Sequence, residues 1–297
     1  MLLVTGITGH TGRYFLQELI DHKYEDTIRC IVRENSNTTM LENSGLKIEK
    51  IVGDLNDKEF VNACMKDANA VMHIFSIRHS LNIVEAAIKN NVPRAILVHT
   101  TGIYSKFKAA SGEYKIIENK LQDIVKKQQI KITILRPTMI YGDLCDHNIS
   151  KFIKMVDSLR IFPVINYGNG LIQPVNARDL GKAYYSVLVM SSEKLRQEYI
   201  LSGVKPITML DTFKLISNNL GKKTTFISFP LGFGVFLARV LKVITLGKVD
   251  YIEKVQRMGE DRCFPHEDAA EDFGYSPISF ENGIKMEVKE YLNFQGR

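Results

Sequence analysis

Three glycines near the start of the chain have a spacing that suits a phosphate-binding loop. Gly6, Gly9 and Gly12 lie in the stretch VTGITGHTG, between an apolar run over residues 1–4 and a helical pattern over residues 13–20. The local order is therefore strand, glycine loop, helix. Such a loop points backbone N–H groups outward at the positive end of the helix dipole, which favours a pyrophosphate. Taken alone, the same spacing also fits a plain turn between a strand and a helix.

A cation follows the second apolar segment, at a position that can distinguish two dinucleotides. Residues 27–32 form the segment and Arg33 comes next, where a cofactor with a free ribose hydroxyl would usually meet Asp or Glu. The guanidinium of Arg33 suits a 2′-phosphate instead, and Ser36 and Asn37 could add hydrogen bonds to it. We therefore predict NADP as the cofactor, with NAD possible. The alternative is that Arg33 is an ordinary solvated arginine.

These residues must be positioned by the elements around them, and short Ile- and Val-rich segments alternate with helical patterns through the first half of the chain. The pattern predicts strands over 1–4, 27–32, 46–52, 70–75, 95–99 and 131–135, with helices over 57–65, 80–90 and 112–128. Strands that alternate with crossover helices indicate a parallel sheet covered on both faces. The predicted fold class is α/β, a doubly wound parallel sheet (Rossmann) with a smaller carboxy-terminal substrate lobe.

The second half of the chain has a less regular pattern. It predicts helices over 149–159, 177–189, 208–220 and 231–243. We expect residues 1–140 to form the NAD(P)-binding domain and residues 141–297 a smaller substrate-binding lobe that is interleaved with it. The stretch 231–246 is more apolar than a surface helix normally is, and we expect it to be buried in the second lobe. A substrate pocket, a subunit contact and a membrane surface are the alternatives.

Composition excludes several classes of function. The chain has 297 residues, of which 45% are hydrophobic, and a formal net charge of +6 from scattered lysines, so we expect a large core and no nucleic-acid partner. The four cysteines and seven histidines show no metal-ligand spacing, which predicts reduced thiols, a cytoplasmic location and no metal site. No apolar run approaches the ~20 residues of a membrane span. The expected partner is a small-molecule substrate, and a homodimer is an additional option.

Several motifs together resemble the extended and atypical short-chain dehydrogenase/reductases, which include nucleotide-sugar epimerases and dehydratases. The motifs are Thr5-Gly6-x-x-Gly9-x-x-Gly12, Gly53-Asp54-Leu55, His73-Ile74-Phe75-Ser76, Arg136-Pro137 with Tyr141-Gly142, and the turn at residues 173–180. The resemblance implies an NAD(P)-dependent enzyme. It also implies that the cofactor is bound by Gly6, Thr8, Gly9, His10, Thr11, Gly12, Arg33, Asp54, Leu55, Ile74, Phe75, Ser76, Arg136 and Pro137.

The catalytic positions depart from the family pattern. The family uses a Ser or Thr hydroxyl with a Tyr and a Lys four residues later, and the resemblance places Thr100 and Tyr114 in the first two roles. Glu118 stands where the lysine should be, and a carboxylate there would raise the pKa of a phenol rather than lower it. Tyr104 and Lys108 also have the required spacing, which we interpret as coincidence. Tyr114 could equally be an ordinary packing residue of an amphipathic helix.

Three functions are consistent with this sequence. The first is an oxidoreductase or epimerase that transfers hydride at a hydroxyl or carbonyl carbon, with a nucleotide sugar as the candidate substrate. The second is an atypical NADP(H)-binding reductase of an apolar ketone or quinone, and the third is a non-catalytic NADP(H) sensor. The missing lysine favours the second and third functions.

Overall fold

The computed structural model describes residues 1–107, 109–127 and 129–297. In chain order the strands are β1 (Leu2–Thr5), β2 (Ile28–Val32), β3 (Ile48–Val52), β4 (Ala70–His73), β5 (Arg94–Val98), β6 (Lys131–Pro137), β7 (Ile140–Tyr141), β8 (Ile161–Ile165), β9 (Leu171–Ile172), β10 (Val175–Asn176), β11 (Glu198–Leu201), β12 (Ile207–Thr208) and β13 (Thr225–Phe229). The α-helices are α1 (Gly12–Asp21), α2 (Thr39–Glu42), α3 (Lys58–Cys64), α4 (Ser80–Lys89), α5 (Ser111–Lys126), α6 (Ile149–Ser158), α7 (Ala177–Val189), α8 (Met209–Asn219), α9 (Leu231–Ile244), α10 (Ile252–Gln256), α11 (Glu267–Phe273) and α12 (Phe280–Phe294).

A seven-stranded sheet organises the chain, in the order β11-β6-β5-β4-β1-β2-β3, with every neighbouring pair parallel. The central strands β1, β4, β5 and β6 are almost wholly buried, as a parallel sheet covered on both faces requires, whereas the edge strand β3 is partly exposed. The strand order reverses between β1 and β4, so a crevice opens at the carboxyl ends of these two strands. The predicted doubly wound α/β fold is confirmed.

Helices cover both faces of this sheet. On one face α1 and α7 share a core with β1, β2 and β6, and Gly181 lets them approach closely because a Cβ there would lie 2.6 Å from the carbonyl carbon of Tyr14. On the other face α3, α4 and α5 pack with β4 and β5. Helix α1 packs on the sheet through buried apolar residues that recur at helical spacing, such as Phe15 and Leu19.

The second half of the chain builds a smaller core beside the sheet. Helices α6, α8 and α12 enclose it with side chains that include Ile153, Phe213 and Ile284, and three two-stranded sheets lie at its edges. The sequence did not predict β11, which joins the main sheet and extends β6 to Pro137 through the pairing of Leu201 with that residue. Because β11 and α7 both lie on the main sheet, the two predicted parts interlock. The boundary at residue 140 stays a prediction.

One predicted burial is wrong. Helix α9 forms where the pattern placed a helix, but in it only Gly234 and Ala238 are fully buried. Its large side chains are exposed, because this helix packs against the rest of the chain through its small residues.

Candidate cofactor cleft and substrate cavity

A cleft of about 1060 Å³ lies at the carboxyl ends of β1, β2 and β4, where the strand order reverses. It brings together most of the residues that the sequence assigned to the cofactor. These are Gly6, Thr8, Gly9, His10, Thr11, Arg33, Asp54, Leu55, Ile74, Phe75 and Ser76. Its walls also include residues that the sequence did not single out, among them Val52, His79 and Ile140.

The glycine loop has a geometry that leaves room for a ligand against its backbone. Gly6 has a φ of +79°, and a Cβ there would lie 2.8 Å from the amide nitrogen of Phe75. Gly12 does not line the cleft, but a Cβ there would overlap the carbonyl oxygen of Gly6, so its role is close packing of α1 on β1. No side chain described in the structure caps the start of α1, and its first turn carries no acidic residue. The positive end of this helix therefore fits a pyrophosphate.

Asp143, which the sequence analysis missed, ties this loop to the second half of the chain. Its carboxylate accepts a 2.6 Å hydrogen bond from the Tyr14 hydroxyl, lies 3.2 Å from Nε2 of His10 and forms an ion pair with Arg13. Burial alone would raise the pKa of Asp143, but the close contact with His10 and the hydrogen bond from Tyr14 hold that pKa well below its usual range. The carboxylate thus stays charged and anchors the first turn of α1.

The far end of the cleft carries an exposed cation. The Arg33 guanidinium lies 5.8 Å from the ring centroid of Phe75, and the backbone amide of Arg33 donates a 3.1 Å hydrogen bond to the Ser36 hydroxyl. Ser36 and Asn37 line the same end of the cleft. A guanidinium with two polar side chains beside it is a donor set that suits a phosphate ester.

Arg136 and Pro137 lie apart from the residues that line the cleft, and their assignment to the cofactor stays a prediction. Neither lines the cleft in the part of the chain that the structure describes. Arg136 is buried and its guanidinium is fully engaged, with 2.5 and 2.8 Å hydrogen bonds to Glu118 and a 2.9 Å hydrogen bond to Glu198. Pro137 pairs with β11 and accepts a 3.3 Å hydrogen bond from Thr101.

Glu118 is the centre of this buried group. Besides both contacts with Arg136, it lies 2.8 Å from Nδ1 of His99, whose Nε2 lies 3.0 Å from the Ser80 hydroxyl. Burial alone would raise the pKa of Glu118, but the hydrogen bonds from His99 and Arg136 hold it below its usual value. The residue at the family's lysine position is therefore a charged carboxylate with structural partners.

A second cavity of about 670 Å³ adjoins the cleft, and Ile140 lines both. Thr100 lies in its wall, and the Thr100 hydroxyl accepts a 3.0 Å hydrogen bond from the amide of Gly102. Tyr104 lines the same cavity, with its ring 5.4 Å from that of Phe264 and 5.7 Å from the Arg136 guanidinium. Burial raises the pKa of the Tyr104 phenol, and the charge of Arg136 opposes that rise.

Tyr114 does not line this cavity in the described part of the chain. It lies on α5, packs against the core on that side of the sheet, and has the Arg78 guanidinium 5.5 Å from its ring centroid. The structure therefore does not bring Thr100 and Tyr114 together in one cavity wall. Of the second pair that the sequence offered, Tyr104 is in place, whereas Lys108 lies outside the described residues.

Two arginines that the sequence analysis did not single out also line this second cavity. Arg257 and Arg262 each bury an Nε that finds no acceptor among the described residues. Burial lowers the pKa of Arg262 to about 10, and the neighbouring charge of Arg257 contributes. Glu260, in the same wall, accepts hydrogen bonds from the Ser105 hydroxyl at 2.6 Å and from the Lys106 amide at 2.7 Å. The wall of this cavity thus carries two guanidinium groups, which give it positive charge.

A doubly wound sheet with a glycine cradle at its switch point defines a dinucleotide-binding protein. Comparison with known proteins agrees, because residues 6–151 match the family model for NAD(P)H-binding. Festuclavine dehydrogenase of Aspergillus fumigatus is 24% identical over 187 residues, which cover 62% of this chain and 61% of that enzyme's length.

Solved structures are similar over the whole chain. UDP-glucose 4-epimerase of Thermotoga maritima, solved with UDP-glucose, has a TM-score of 0.74 at 17% identity, with 99% of each chain covered. The dTDP-glucose 4,6-dehydratase of Streptomyces venezuelae, solved with NAD bound, has a TM-score of 0.74 at 16% identity, with 99% of this chain and 98% of that chain covered. The chain thus contains an NAD(P)H-binding domain and has the fold of these epimerase and dehydratase structures, so the predicted resemblance is confirmed.

Proposed function

We propose that this protein is an NADP(H)-dependent oxidoreductase or epimerase that acts by hydride transfer at a hydroxyl or carbonyl carbon. The observation that carries the proposal is the meeting of the two cavities at Ile140. A dinucleotide held by the glycine loop in the first cavity would have its reactive end directed toward a substrate in the second. The bound cofactor supplies the hydride chemistry, and the chain supplies binding, orientation and proton transfer.

The preference for NADP rests on the exposed end of the cleft. A 2′-phosphate there would contact the Arg33 guanidinium and lie beside Ser36 and Asn37. A hydrogen bond to a charged group contributes about 1.5–3 kcal/mol, which corresponds to roughly a 10- to 150-fold difference in affinity. NADH lacks the phosphate and would gain nothing from Arg33.

Proton transfer is assigned to Tyr104, with Thr100 as a hydrogen-bonding partner of the substrate oxygen. Both line the substrate cavity, and the Tyr104 hydroxyl has no hydrogen-bond partner among the described residues, so it is free to donate to a substrate. In the reduction direction the phenol donates its proton to the carbonyl oxygen as the carbinol forms. Arg136 supplies the nearby positive charge that a lysine supplies in the family pattern. Tyr114 is the alternative that the sequence favoured.

The substrate that we propose carries a negative charge. Arg257 and Arg262 are the basis for this, because two guanidinium groups in the cavity wall favour a phosphate or carboxylate. A nucleotide sugar meets this requirement. Reduction of an apolar ketone or quinone is the second candidate, and the replacement of the family's lysine by Glu118 favours it.

Fluorescence titration with NADPH and NADH tests the cofactor assignment. We expect Arg33→Ala to weaken NADPH binding by at least about tenfold and to leave NADH binding unchanged. Arg160→Ala, which removes an exposed arginine outside the cleft, is the matched control. Equal affinities for the two cofactors in the wild type would refute phosphate recognition by Arg33.

Turnover assays separate the reactions. Conversion of UDP-glucose or dTDP-glucose without net NADPH consumption supports the epimerase, and NADPH oxidation with apolar ketones or quinones supports the reductase. Tight NADPH binding with no turnover of any of these compounds would favour a cofactor sensor and contradict the proposed activity.

A further inference from the structure

Helix α9 has its small residues turned toward the protein and its large apolar residues turned toward solvent. Gly234 and Ala238, one helical turn apart, are its fully buried positions. The exposed side chains are Phe233, Phe236, Leu237, Val240, Leu241, Val243 and Ile244, followed by Leu246 just after the helix. At the end of the helix, Val243, Ile244 and Leu246 are 74%, 73% and 89% exposed. Soluble surfaces rarely present so many neighbouring large apolar side chains.

The packing explains why this apolar face cannot turn inward. A Cβ on Gly234 would lie 2.8 Å from the side chain of Ile165, so the helix approaches its neighbours more closely than a larger residue would allow. Rotation of α9 would force phenylalanine or leucine into that contact. The packing of α9 therefore fixes its apolar face toward solvent. The rest of the described chain does not cover this face, so we expect a binding partner to cover it.

The charges beside this face indicate what the occupant is. Residues 231–249 contain Arg239, Lys242 and Lys248 and no acidic residue. Lys242 forms a 2.7 Å ion pair with Asp250, which leaves Arg239 and Lys248 as surplus cations. A second copy of the chain placed on this face by a two-fold axis would bring the same cations toward each other. An anionic lipid surface instead matches both the apolar side chains and the positive charge.

We propose that α9 and the turn up to Lys248, the α9 surface, dock the protein on anionic lipid bilayers. The helix lies along the membrane plane, with its apolar side chains at the headgroup boundary and its cations against lipid phosphates. Its 14 residues span roughly 21 Å, and no helix in the described ranges is long and apolar enough to cross a membrane. The attachment is peripheral and does not depend on the proposed reaction.

The α9 surface is continuous with the wall of the substrate cavity. Leu231, the first residue of α9, contacts Gly259, which lines that cavity, and α9 packs on α10, which leads directly into Arg257. Docking therefore places the substrate cavity close to the lipid surface.

Vesicle flotation of the full chain tests the proposal, with phosphatidylcholine vesicles and with vesicles that contain about 30% phosphatidylglycerol, in about 0.1 M NaCl. We expect binding to the anionic vesicles and at least about tenfold weaker binding to phosphatidylcholine alone. The triple variant Val243→Ser, Ile244→Ser, Leu246→Ser should lose binding by at least about tenfold. Ile116→Ser with Phe294→Ser removes apolar side chains that are 61% and 77% exposed elsewhere and should bind as the wild type does.

Charge variants provide a second, independent measurement. Arg239→Gln and Lys248→Gln should each weaken binding by about fivefold and together by about 25-fold, since each basic residue near an anionic membrane contributes about that factor. Raising the NaCl concentration to about 0.5 M should also weaken binding.

Three results would overturn the proposal. The first is no binding to anionic vesicles, and the second is binding that the triple variant retains. The third is a dimer in light scattering that the triple variant dissociates while vesicles remain unbound, which would make α9 an interface between copies of this chain.

Discussion

Replacing Glu118 with glutamine should cost far more stability than the same change at Glu198, although both carboxylates bind one guanidinium. Glu118 is buried and makes two hydrogen bonds with Arg136, whereas the Glu198 side chain is 52% exposed. Removing one partner of a buried ion pair leaves an uncompensated buried charge and costs about 3–5 kcal/mol. Because Arg136 still has Glu198 as a partner in this variant, we expect Glu118→Gln to lower the free energy of unfolding by about 3 kcal/mol, the lower end of that range. An exposed ion pair contributes less than about 1 kcal/mol to stability, so we expect Glu198→Gln to lower the free energy of unfolding by less than that amount.

The stability that Glu118 contributes should depend on pH, and the direction of the change follows from its pKa. The folded-state pKa of Glu118 is lowered, because Arg136 and His99 stabilise its charged form against the effect of burial. Its contribution is therefore fully present above the unfolded-state pKa of about 4.3 and is lost as the pH falls through the folded-state value. The difference in unfolding free energy between wild type and Glu118→Gln should be largest near neutral pH and should shrink in acid.

Urea unfolding followed by circular dichroism at several pH values measures both effects. The two variants carry the same chemical change and each carboxylate accepts two hydrogen bonds from Arg136, so differences between them report burial and the additional contact of Glu118 with His99. Equal losses for the two variants, or a loss below about 1 kcal/mol for Glu118→Gln near neutral pH, would refute the reasoning.

Three further predictions concern the loop, the second core and the proton donor. Gly12→Ala should weaken NADPH binding by at least about tenfold in fluorescence titration, because its Cβ would overlap the Gly6 carbonyl, whereas Gly112→Ala, in open space, should not. Glu287 is buried beside Asp146, which raises its pKa, so wild-type stability falls as the pH rises above about 4.3, and Glu287→Gln should have the higher melting temperature near pH 8. Tyr104→Phe should lower turnover by about tenfold or more without changing NADPH affinity, and Tyr114→Phe should have little effect; the reverse ranking would restore the sequence-based assignment.

Local features of the chain were predictable from the sequence. The glycine loop, the strand before it and the helix after it follow from the sequence of one short stretch. A buried strand can likewise be predicted from a local run of Ile and Val. The strand bounds differ from the prediction by a few residues. Strand β4 ends at His73, two residues before the predicted end at residue 75. The chain turns there, and Nε2 of His73 lies 3.0 Å from the carbonyl oxygen of Ser76.

Contacts between distant parts of the chain were not predictable in this way. Asp143 meets Tyr14 across a sequence separation of 129 residues, and no local pattern marks it. Helix α9 did carry a signal. Its small residues, Gly234 and Ala238, share one face, whereas the hydrophobic content alone suggested burial. The distribution of side-chain size around a helix therefore decides which face packs, and total hydrophobicity does not.

The departure at Glu118 and the position of Tyr104 have one physical explanation. A carboxylate at the family's lysine position would work against a phenol on the same helix, yet in this fold it binds Arg136 instead. That pairing holds the guanidinium 5.7 Å from the ring of Tyr104, in the wall of the substrate cavity. In the proposed mechanism Arg136 on β6 takes the place of the lysine on α5, and Tyr104 in the turn after β5 takes the place of the tyrosine on α5. A search for the usual Tyr and Lys spacing cannot find such an arrangement, because Tyr104 lies in the turn after β5 and Arg136 lies on β6.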